Sequence, residues 1–499
     1  MKNLYNENNA KRLPVSSLAR STLSTGLLLR LGFNTSQNLF SDIITLKKPD
    51  LRSALVSKKN VTATVNTLKN LRGAAMKFGQ LMSMDESIIL SPDLAAVFAQ
   101  LRSSGYSMTP SQLKKILNQN WGDGWLRNFK HFEVRPFAAA SIGQVHKATL
   151  KSGEIVAIKV QFPGVRQSID NDLSSLKFIM KTSGMLPAKF PLDYYINQCG
   201  DLLKRETDYE LEATNICRFS DFLRSNDKLN VPKVYNQLST QETLTMSFFE
   251  GRELSSKMAY DQSSINEISL SLLELLLNEI FTFKLVQTDP NLANFLLSEG
   301  DNSLCILDFG ACCQVSEATH ELYKDLLNVA LTLDANKIKS FLEDKNFIPK
   351  DASSEGTKFF DRIISIAINE ISQNEFFDFQ QSKVFEIITE EDLNLYFELI
   401  PSSLFGSDFI FIQRKIFGLI LFFRAIGAKL PLLKILKDID RDFFFMGKGH
   451  ACLALYPILK DLGFVSEERY LEYGLDGGSL GGQLDTSIIG AENNTGSLG

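Results

Sequence analysis

Two aspartates and an asparagine are spaced along this chain so that they could bind a nucleotide and its metal ions. Asp289 is followed five positions later by Asn294, and Asp308 begins an Asp-Phe-Gly sequence fourteen positions after that. In kinases the first aspartate of such a series addresses the phosphate acceptor or an attacking water, and the other two residues supply oxygen ligands to Mg²⁺. The spacing therefore predicts a site for ATP and Mg²⁺.

The sequence between the two candidate metal ligands predicts a β-hairpin. Apolar runs at 295–297 and 304–307 flank a turn-forming stretch of Ser, Glu, Gly, Asp and Asn. Such a hairpin returns Asn294 and Asp308 to one end, where both could ligate one metal ion.

A lysine-bearing strand is predicted upstream of this motif. Residues 155–159 read Ile-Val-Ala-Ile-Lys, the pattern of the strand whose lysine contacts the α- and β-phosphates, and residues 143–150 form a hairpin with it. Kinases carry a glycine-rich loop before this hairpin to cover the phosphates. The residues here are Ala138, Ala139, Ala140, Ser141, Ile142 and Gly143. Alanines restrict the backbone and add Cβ atoms, so we expect this loop to bind ATP differently from that of a fast protein kinase.

These motifs resemble those of the ABC1/ADCK/UbiB family of atypical kinases, and of its Coq8-like branch in particular. The matching segments are 71–80, 138–146, 156–159, 206–213, 287–291 and 307–311. The resemblance runs from about residue 13 to about residue 450, and the six motifs in the same order make it specific.

The resemblance implies a role for each matching position in the ATP site. Lys159 would contact the phosphates and pair with Glu212 of a helix equivalent to αC. Asp289 would orient the nucleophile, while Asn294 and Asp308 would bind Mg²⁺. Gln287-Thr288 stands where ordinary kinases have His-Arg, as it does in the Coq8-like branch.

A further pair of motifs has no counterpart in ordinary kinases. The resemblance implies that Lys77 and Gln80, on a helix predicted over residues 61–84, belong to a Lys-x-Gly-Gln motif, with Glu206 and Asp208 holding the lysine. Glu206 and Glu212 are six residues apart, about 240° around one helix, so we expect them to serve different lysines. Without the other motifs, the acids would be interpreted as a solvated helix face and Lys77 as a solvated residue.

The order of predicted elements favours an α+β, protein-kinase-like bilobal fold, with a small strand-rich N-lobe, a helical C-lobe and a helical N-terminal extension carrying the Lys-x-Gly-Gln motif. We predict the extension over residues 1–125, the N-lobe over 126–250, the C-lobe over 251–470 and a disordered tail over 471–499.

Within this fold, some shorter segments have predicted structures of their own. Residues 170–200 would form two helices inserted ahead of αC, and a long apolar helix over 268–286 would lead to the catalytic loop. Strands are predicted at 231–234 and 244–249. The second strand leads into a hinge between the lobes, where Phe248 and Glu250 would contact ATP.

The segment after Gly310 lacks the features that bind peptide substrates in protein kinases. No Ala-Pro-Glu sequence closes a long activation segment, and residues 315–333 predict an amphipathic helix instead. We therefore expect the usual peptide groove to be missing or covered.

Composition excludes several other classes of function. The 53 Lys and Arg against 58 Asp and Glu give a net charge of −5, which does not indicate a nucleic-acid partner. The six Cys form no Cys-x-x-Cys pair and the four His show no metal-ligand spacing, so we expect reduced thiols and no zinc site. No run of 18 apolar residues predicts a membrane-spanning helix.

The first 33 residues are basic and amphipathic. They resemble an organelle transit peptide, but the family-like sequence begins near residue 12, which leaves no room for a removable leader. We therefore expect a bacterial, cytoplasmic protein with peripheral membrane contact.

Three hypotheses about function follow. The leading one is an atypical kinase or ATPase that uses ATP and Mg²⁺ in isoprenoid-quinone (ubiquinone) biosynthesis. Its expected partners are phenolic or quinone lipid intermediates and quinone-biosynthesis enzymes. The second is a nucleotide-gated chaperone for lipids or partner enzymes, with no phosphorylated product. The third is a peptide-directed protein kinase, which the missing activation segment and the alanine-rich loop disfavour.

Overall fold

A computed structural model of the 499-residue chain describes residues 68, 71–83, 107–140, 142–182, 192–255, 260–289, 291–298, 302–348, 354–386 and 406–439. Ser141, the tail predicted over 471–499 and the basic N-terminal segment lie outside the described residues, as does most of the predicted extension. The predicted domain boundaries therefore stay predictions.

The described strands, in chain order, are β1 (Phe129–Phe132), β2 (Ala138–Ala139), β3 (Gly143–Leu150), β4 (Ile155–Gln161), β5 (Leu229–Asn230), β6 (Thr243–Ser247), β7 (Arg252–Glu253), β8 (Leu285–Gln287), β9 (Phe295–Leu297), β10 (Leu304–Ile306), β11 (Cys312–Gln314), β12 (Phe377–Asp378) and β13 (Lys429–Leu430). The described α-helices are α1 (Arg72–Ser83), α2 (Pro110–Trp121), α3 (Val165–Thr182), α4 (Leu192–Glu206), α5 (Tyr209–Phe222), α6 (Gln262–Phe281), α7 (Glu317–Leu331), α8 (Ala335–Asp344), α9 (Ser354–Gln373), α10 (Lys383–Glu386), α11 (Ser407–Ile426) and α12 (Leu432–Ile439).

The N-lobe is built on an antiparallel sheet in which the strands follow the order β1-β3-β4-β6, with β2 also paired to β3. Its register places Lys159 of β4 between Val145 of β3 and Leu244 of β6. Alternate residues of β3 are buried, as expected for strands with one face on a core. The hairpin predicted from residues 143–159 is confirmed, and its central strand carries the lysine.

Helix α3 lies before residues 183–191, which are outside the described residues, and helices α4 and α5 lie after them. The sequence predicted two inserted helices over 170–200, and α3 and α4 confirm them. The single helix assumed for Glu206 and Glu212 is wrong, because α4 ends at Glu206 and α5 begins at Tyr209. Asp208 separates the two helices, because its side chain caps the start of α5 by accepting a hydrogen bond from the Leu211 amide at 3.0 Å.

The helix α1 packs its apolar face against α3 and α4. Leu71, Ala74, Ala75 and Phe78 are all buried in that contact, as the helical spacing of apolar residues requires. The described part of the helix predicted over 61–84 is therefore helical from Arg72 to Ser83.

The C-lobe is mostly helical, and small sheets carry its loops. The hairpin predicted between Asn294 and Asp308 is confirmed by β9 and β10, which pair antiparallel. The helix predicted over 268–286 ends early, at Phe281, because Lys284 adopts a positive φ of 49° and Leu285 begins β8. The strand predicted over 231–234 is also wrong: β5 lies at Leu229–Asn230, and Val234 forms only an isolated bridge.

Large aromatic and aliphatic side chains of both lobes form one main core cluster. Of the 37 Phe in the chain, several are fully buried, including Phe78, Phe219, Phe295 and Phe309, in agreement with the expected aromatic-rich core. Among the described helices, none is long and apolar enough to cross a membrane.

Candidate active site

The strand lysine lies in a buried cluster of charges. Lys159 Nζ is 2.5 Å from Glu212 Oε1 of α5 and 3.3 Å from Asp308 Oδ2 of the Asp-Phe-Gly sequence. Burial would lower the pKa of Lys159, but the carboxylates of Asp308 and Glu212 outweigh it and raise the pKa above its usual value. The lysine is therefore held as a cation at the point where three separate chain segments meet.

The pKa values of the two carboxylates of this cluster shift in opposite directions. Burial raises the pKa of Glu212 to about 7, although Lys159 opposes the shift. The pKa of Asp308 lies below its usual value. Burial alone would raise this pKa, but the charge of Lys159 and the hydrogen bond from the Gly310 amide together outweigh the burial. About a third of the Asp308 side chain is exposed, so this ionised carboxylate is in reach of solvent.

Glu212 also fixes the segment that carries Asp308. Its Oε1 accepts a hydrogen bond from the Phe309 amide at 3.5 Å, and Asn215, one turn along α5, donates to the Phe309 carbonyl at 3.1 Å. The Phe309 ring is fully buried and packs on Phe219 with ring centroids 4.7 Å apart. The glutamate thus positions both the strand lysine Lys159 and the candidate metal ligand Asp308.

The end of the β9–β10 hairpin brings the two candidate metal ligands together. The Leu307 amide donates to the Asn294 carbonyl at 2.8 Å, so Asp308 follows directly after the residue paired with Asn294. Asn294 Nδ2 is buried and has no hydrogen-bond partner among the described residues. An amide in this state can turn its oxygen toward a cation, and an amide oxygen beside an ionised carboxylate is a ligand set that suits Mg²⁺.

The catalytic loop contacts the lysine of the Lys-x-Gly-Gln motif. Lys77 is only 3% exposed; its Nζ forms an ion pair with Glu206 and lies 3.6 Å from Asp289 Oδ2. Burial would lower the pKa of Lys77, but Glu206 and Asp289 raise it above its usual value. The alternative that Lys77 is a solvated helix residue is therefore wrong. Helix α1 therefore places the ammonium group of Lys77 beside Asp289, the residue that would orient the nucleophile.

Two further residues belong to these motifs: Asp208 lies elsewhere than expected, and Gln80 is only partly described. Asp208 was expected to hold Lys77 together with Glu206, but its carboxylate caps α5, and Asp289 is the second acid beside the lysine. The Gln80 backbone is helical within α1, and its side chain is outside the described set.

The alanine-rich segment forms part of the N-lobe sheet. Ala138 and Ala139 pair with Val145 and Gln144 of β3, and the Ala140 amide donates to the Gly143 carbonyl to close the turn that includes Ile142. Gly143 has no room for a side chain, because a Cβ there would collide with the Val160 carbonyl oxygen. The loop is therefore a short hairpin, less free to move than a glycine-rich cover.

The predicted hinge follows β6 directly. The Phe248 ring packs edge-on against Phe137 at 5.4 Å and lies under Lys147, whose Nζ is 4.2 Å from the ring centroid. Phe137 is exposed and immediately precedes Ala138, so these two rings connect the hinge to the alanine-rich hairpin. Glu250 is exposed. Its contact with ATP, like that of Phe248, stays a prediction.

Sequence reasoning assigned no role to Glu279 and Lys415, which lie behind the catalytic loop, and it placed Gln287 in a motif without giving it a contact. Glu279 and Lys415 form an ion pair that is almost completely buried, and Gln287 is 1% exposed. The signal was present as a single charged residue within or beside an otherwise apolar helical run. It could not be separated from the ordinary end of a buried helix.

A strand lysine paired with a helix glutamate, an Asp-Phe-Gly segment and a preceding catalytic-type loop, arranged on these two lobes, define a protein-kinase-like protein. Residues 100–342 match the ABC1 atypical kinase-like domain. The chain therefore carries an ABC1 atypical kinase-like domain, and it is similar to the Coq8 atypical kinases.

Three known proteins illustrate the similarity. The atypical kinase COQ8B, mitochondrial, of Danio rerio is 34% identical over 342 residues, covering 68% of this chain and 55% of that protein. The atypical kinase COQ8, mitochondrial, of Saccharomyces cerevisiae is 35% identical over 322 residues, 64% of each chain. The solved structure of the Rv3197–erythromycin complex from Mycobacterium tuberculosis shares the fold, with a TM-score of 0.53 and 21% identity over 77% of this chain and 98% of that one. The chain thus spans between half and two thirds of the length of these two Coq8 relatives.

Proposed function

We propose that the protein is an atypical kinase or ATPase that binds Mg-ATP and supports isoprenoid-quinone biosynthesis, acting on or with lipid-like phenolic intermediates. The observation that carries the catalytic part is the contact of Lys159 with both Glu212 and Asp308. The quinone pathway is supported by the similarity to proteins named as Coq8 kinases.

Each residue has a defined task in this proposal. Lys159 binds the α- and β-phosphates, and Glu212 holds its side chain in place. Asn294 and Asp308 would hold Mg²⁺, which neutralises charge that builds up on the phosphates. Asp289 orients the attacking hydroxyl or water. Catalysis is then mainly electrostatic, because the charged groups are fixed before the reaction begins.

The position of Lys77 bears on the choice of acceptor. Its ammonium group lies beside the Asp289 carboxylate, in the place where a substrate hydroxyl would donate its proton. A peptide must reach this aspartate past a buried helix, whereas water or a small phenolic hydroxyl needs less space. We therefore favour ATP hydrolysis or transfer to a small acceptor over peptide phosphorylation.

A nucleotide-gated chaperone without a phosphorylated product is the second candidate. The contact between Lys77 and Asp289 favours it, because the Lys77 ammonium group occupies space beside the carboxylate that the hydroxyl of an acceptor would need. In this alternative, ATP binding and hydrolysis would change the affinity for a lipid or a partner enzyme of the quinone pathway.

One assay separates these functions. Pure protein is incubated with ATP, Mg²⁺ and a detergent-solubilised phenolic lipid, and both phosphate release and the mass of the lipid are followed. A lipid heavier by one phosphoryl group supports the lipid kinase. Phosphate release that the lipid accelerates, without any change in its mass, supports the chaperone. Phosphorylation of added peptides alone would overturn both.

The location is a separate proposal. The relatives' names place them in mitochondria, which favours the transit-peptide interpretation of residues 1–33 over the cytoplasmic location expected from the sequence. Fusing residues 1–33 to a reporter and incubating it with isolated mitochondria tests this: a protease-protected reporter supports import, and a protease-sensitive one supports the cytoplasm. Binding of the full chain to vesicles of anionic lipid tests the peripheral membrane contact.

A further inference from the structure

A charged pair lies in the apolar interior of the C-lobe, outside the ATP site described above. Lys415 of α11 and Glu279 of α6 form an ion pair, with side-chain exposures of 2% and 0%. Removing two charges from water costs several kcal/mol per ion, and two packed apolar residues would often stabilise such a site equally well. Stability alone therefore does not explain why a glutamate and a lysine occupy these positions.

The two oxygens of Glu279 have different partners. Oε2 accepts from Lys415, and Oε1 accepts from the backbone amide of Gln287 at 3.2 Å. Burial raises the pKa of Glu279, while Lys415 and the Gln287 amide favour the ionised form. Gln287 is the last residue of β8, two positions before Asp289.

Gln287 extends the connection to the catalytic loop. Its side-chain Nε2 donates to the backbone carbonyl of Asp289 at 3.0 Å, and the side chain is buried. A continuous series of hydrogen bonds therefore runs from Lys415 through Glu279 and Gln287 to the backbone of Asp289. On the opposite side, the Thr288 amide donates to the Ala311 carbonyl at 2.9 Å. The backbone at 287–289 is thus fixed from two directions.

We infer that the ion pair between Lys415 and Glu279 is a positioning device for the catalytic loop, which acts through Gln287 on the orientation of Asp289. Lys415 holds the Oε2 atom of the Glu279 carboxylate, and the other oxygen, Oε1, then sets the position of the Gln287 backbone amide. Small displacements of a catalytic group reduce the rate strongly, so loss of this hold lowers kcat without weakening ATP binding. The inference rests on the proposed function, because it assigns Asp289 a role in turnover.

Two double variants without the charges separate positioning from simple anchoring of α11 on α6. Glu279→Gln with Lys415→Met removes both charges but keeps an oxygen that can accept from the Gln287 amide. Glu279→Leu with Lys415→Met removes that oxygen as well. We expect the leucine variant to have a kcat for phosphate release at least tenfold below that of the glutamine variant. We expect the Kd for MgATP to agree within twofold. Equal kcat values for the two variants would overturn the inference.

Hydrogen exchange gives a readout that does not depend on activity. Amide exchange of the peptide containing residues 285–289 should be faster in the leucine variant than in the glutamine variant, while the α11 peptides exchange alike. A matched control removes Lys339 and Asp361, an ion pair between α8 and α9 that is partly exposed, and should leave both exchange at 285–289 and kcat unchanged.

A single substitution keeps the inference testable if the leucine variant does not fold. Gln287→Met leaves the ion pair and the backbone amide intact and removes only the bond to the Asp289 carbonyl. It should lower kcat about tenfold at unchanged Kd for MgATP, and wild-type kcat would overturn the inference. Absence of Mg-dependent phosphate release from the wild type would overturn the proposed function and this inference together, so the two failures are distinguishable.

Discussion

At the scale of single residues, the site depends on the protonation of Glu212. The carboxylate must be ionised to hold Lys159, yet burial raises its pKa to about 7. The nearby charges of Lys159 and Asp308 act in opposite directions on it. A modest change of pH near neutrality therefore changes the protonation of the glutamate that pairs with Lys159.

We predict that MgATP binds more tightly as the pH rises from 6 to 8. A group with a pKa near 7 is about one tenth ionised at pH 6 and about nine tenths ionised at pH 8, so we expect a change of roughly tenfold in Kd. Isothermal titration across this range measures it. Glu212→Gln cannot ionise and serves as the control: its Kd should be weak and nearly independent of pH, and a pH dependence equal to that of the wild type would refute the prediction.

The same pKa shift has a consequence for stability. Because the pKa of Glu212 in the folded protein lies above its ordinary value of 4.5, the protonated form stabilises the nucleotide-free fold. This contribution is fully present below about pH 4.5 and is lost as the pH rises through about 7. ATP should therefore stabilise the protein against heat more at pH 8 than at pH 6.

Lys77 is the second residue on which the site depends, because its ammonium group is buried beside two acids. We predict that Lys77→Ala changes the ATPase rate by about an order of magnitude or allows autophosphorylation, because it removes the positive charge beside Glu206 and Asp289, and the two acids then repel the phosphates of bound ATP. Glu206→Ala should act non-additively with it in a double-mutant cycle. Steady-state phosphate release and incorporation of labelled phosphate measure the two effects.

A lysine on α3, one of the helices against which α1 packs, provides the control for this prediction. Lys177 joins α3 to α4 through an exposed ion pair with Asp193, so Lys177→Ala should leave the rate unchanged. Additive effects of Lys77→Ala and Glu206→Ala would count against coupling between the two side chains, and wild-type kinetics for both would show that the pair has no role in turnover.

At the scale of elements, the proposed function gives the alanine-rich hairpin the task of covering the phosphates. We predict that Ala139→Gly raises the affinity for ATP or changes nucleotide preference, since glycine relaxes a strand that is paired with β3. Titrations with ATP, ADP and GTP measure this. Ala330→Gly in α7, a substitution with a similar cost in local stability but far along the chain, should leave all three affinities unchanged. Identical titrations for Ala139→Gly and the wild type would show that the hairpin does not contact the nucleotide.

The elements also show why part of the site was predictable and part was not. Lys159, Asn294 and Asp308 lie on hairpins, where local turn signals and alternating apolar residues predict the pairing. The break between α4 and α5 was missed, because it depends on the Asp208 cap, which resembles any other acid in an acidic stretch. The end of α6 was missed because apolar residues continue through β8, and only the pairing of β8 with β11 makes 285–287 a strand.

At the scale of the whole molecule, contacts between distant segments complete the site. Lys77 reaches Glu206 and Asp289 from a helix that is more than a hundred residues away from each in the sequence, and Lys415 reaches Glu279 from another distant helix. Such contacts have no local signature. The family resemblance suggested the contact of Lys77 with Glu206, whereas the contacts of Lys77 with Asp289 and of Lys415 with Glu279 were found only in the structure.

We propose that residues of both lobes form one Mg-ATP site, with Asp308 as a metal ligand. The most direct test of this proposal is phosphate release by pure wild-type protein and by Asp308→Asn while Mg²⁺ is titrated, with circular dichroism to confirm that both are folded. We predict turnover that depends on Mg²⁺ in the wild type. We expect a loss of at least a hundredfold in the variant at saturating Mg²⁺, roughly the cost of removing a charged ligand from a phosphoryl-transfer site. Equal rates for the two proteins would contradict the assignment of this site.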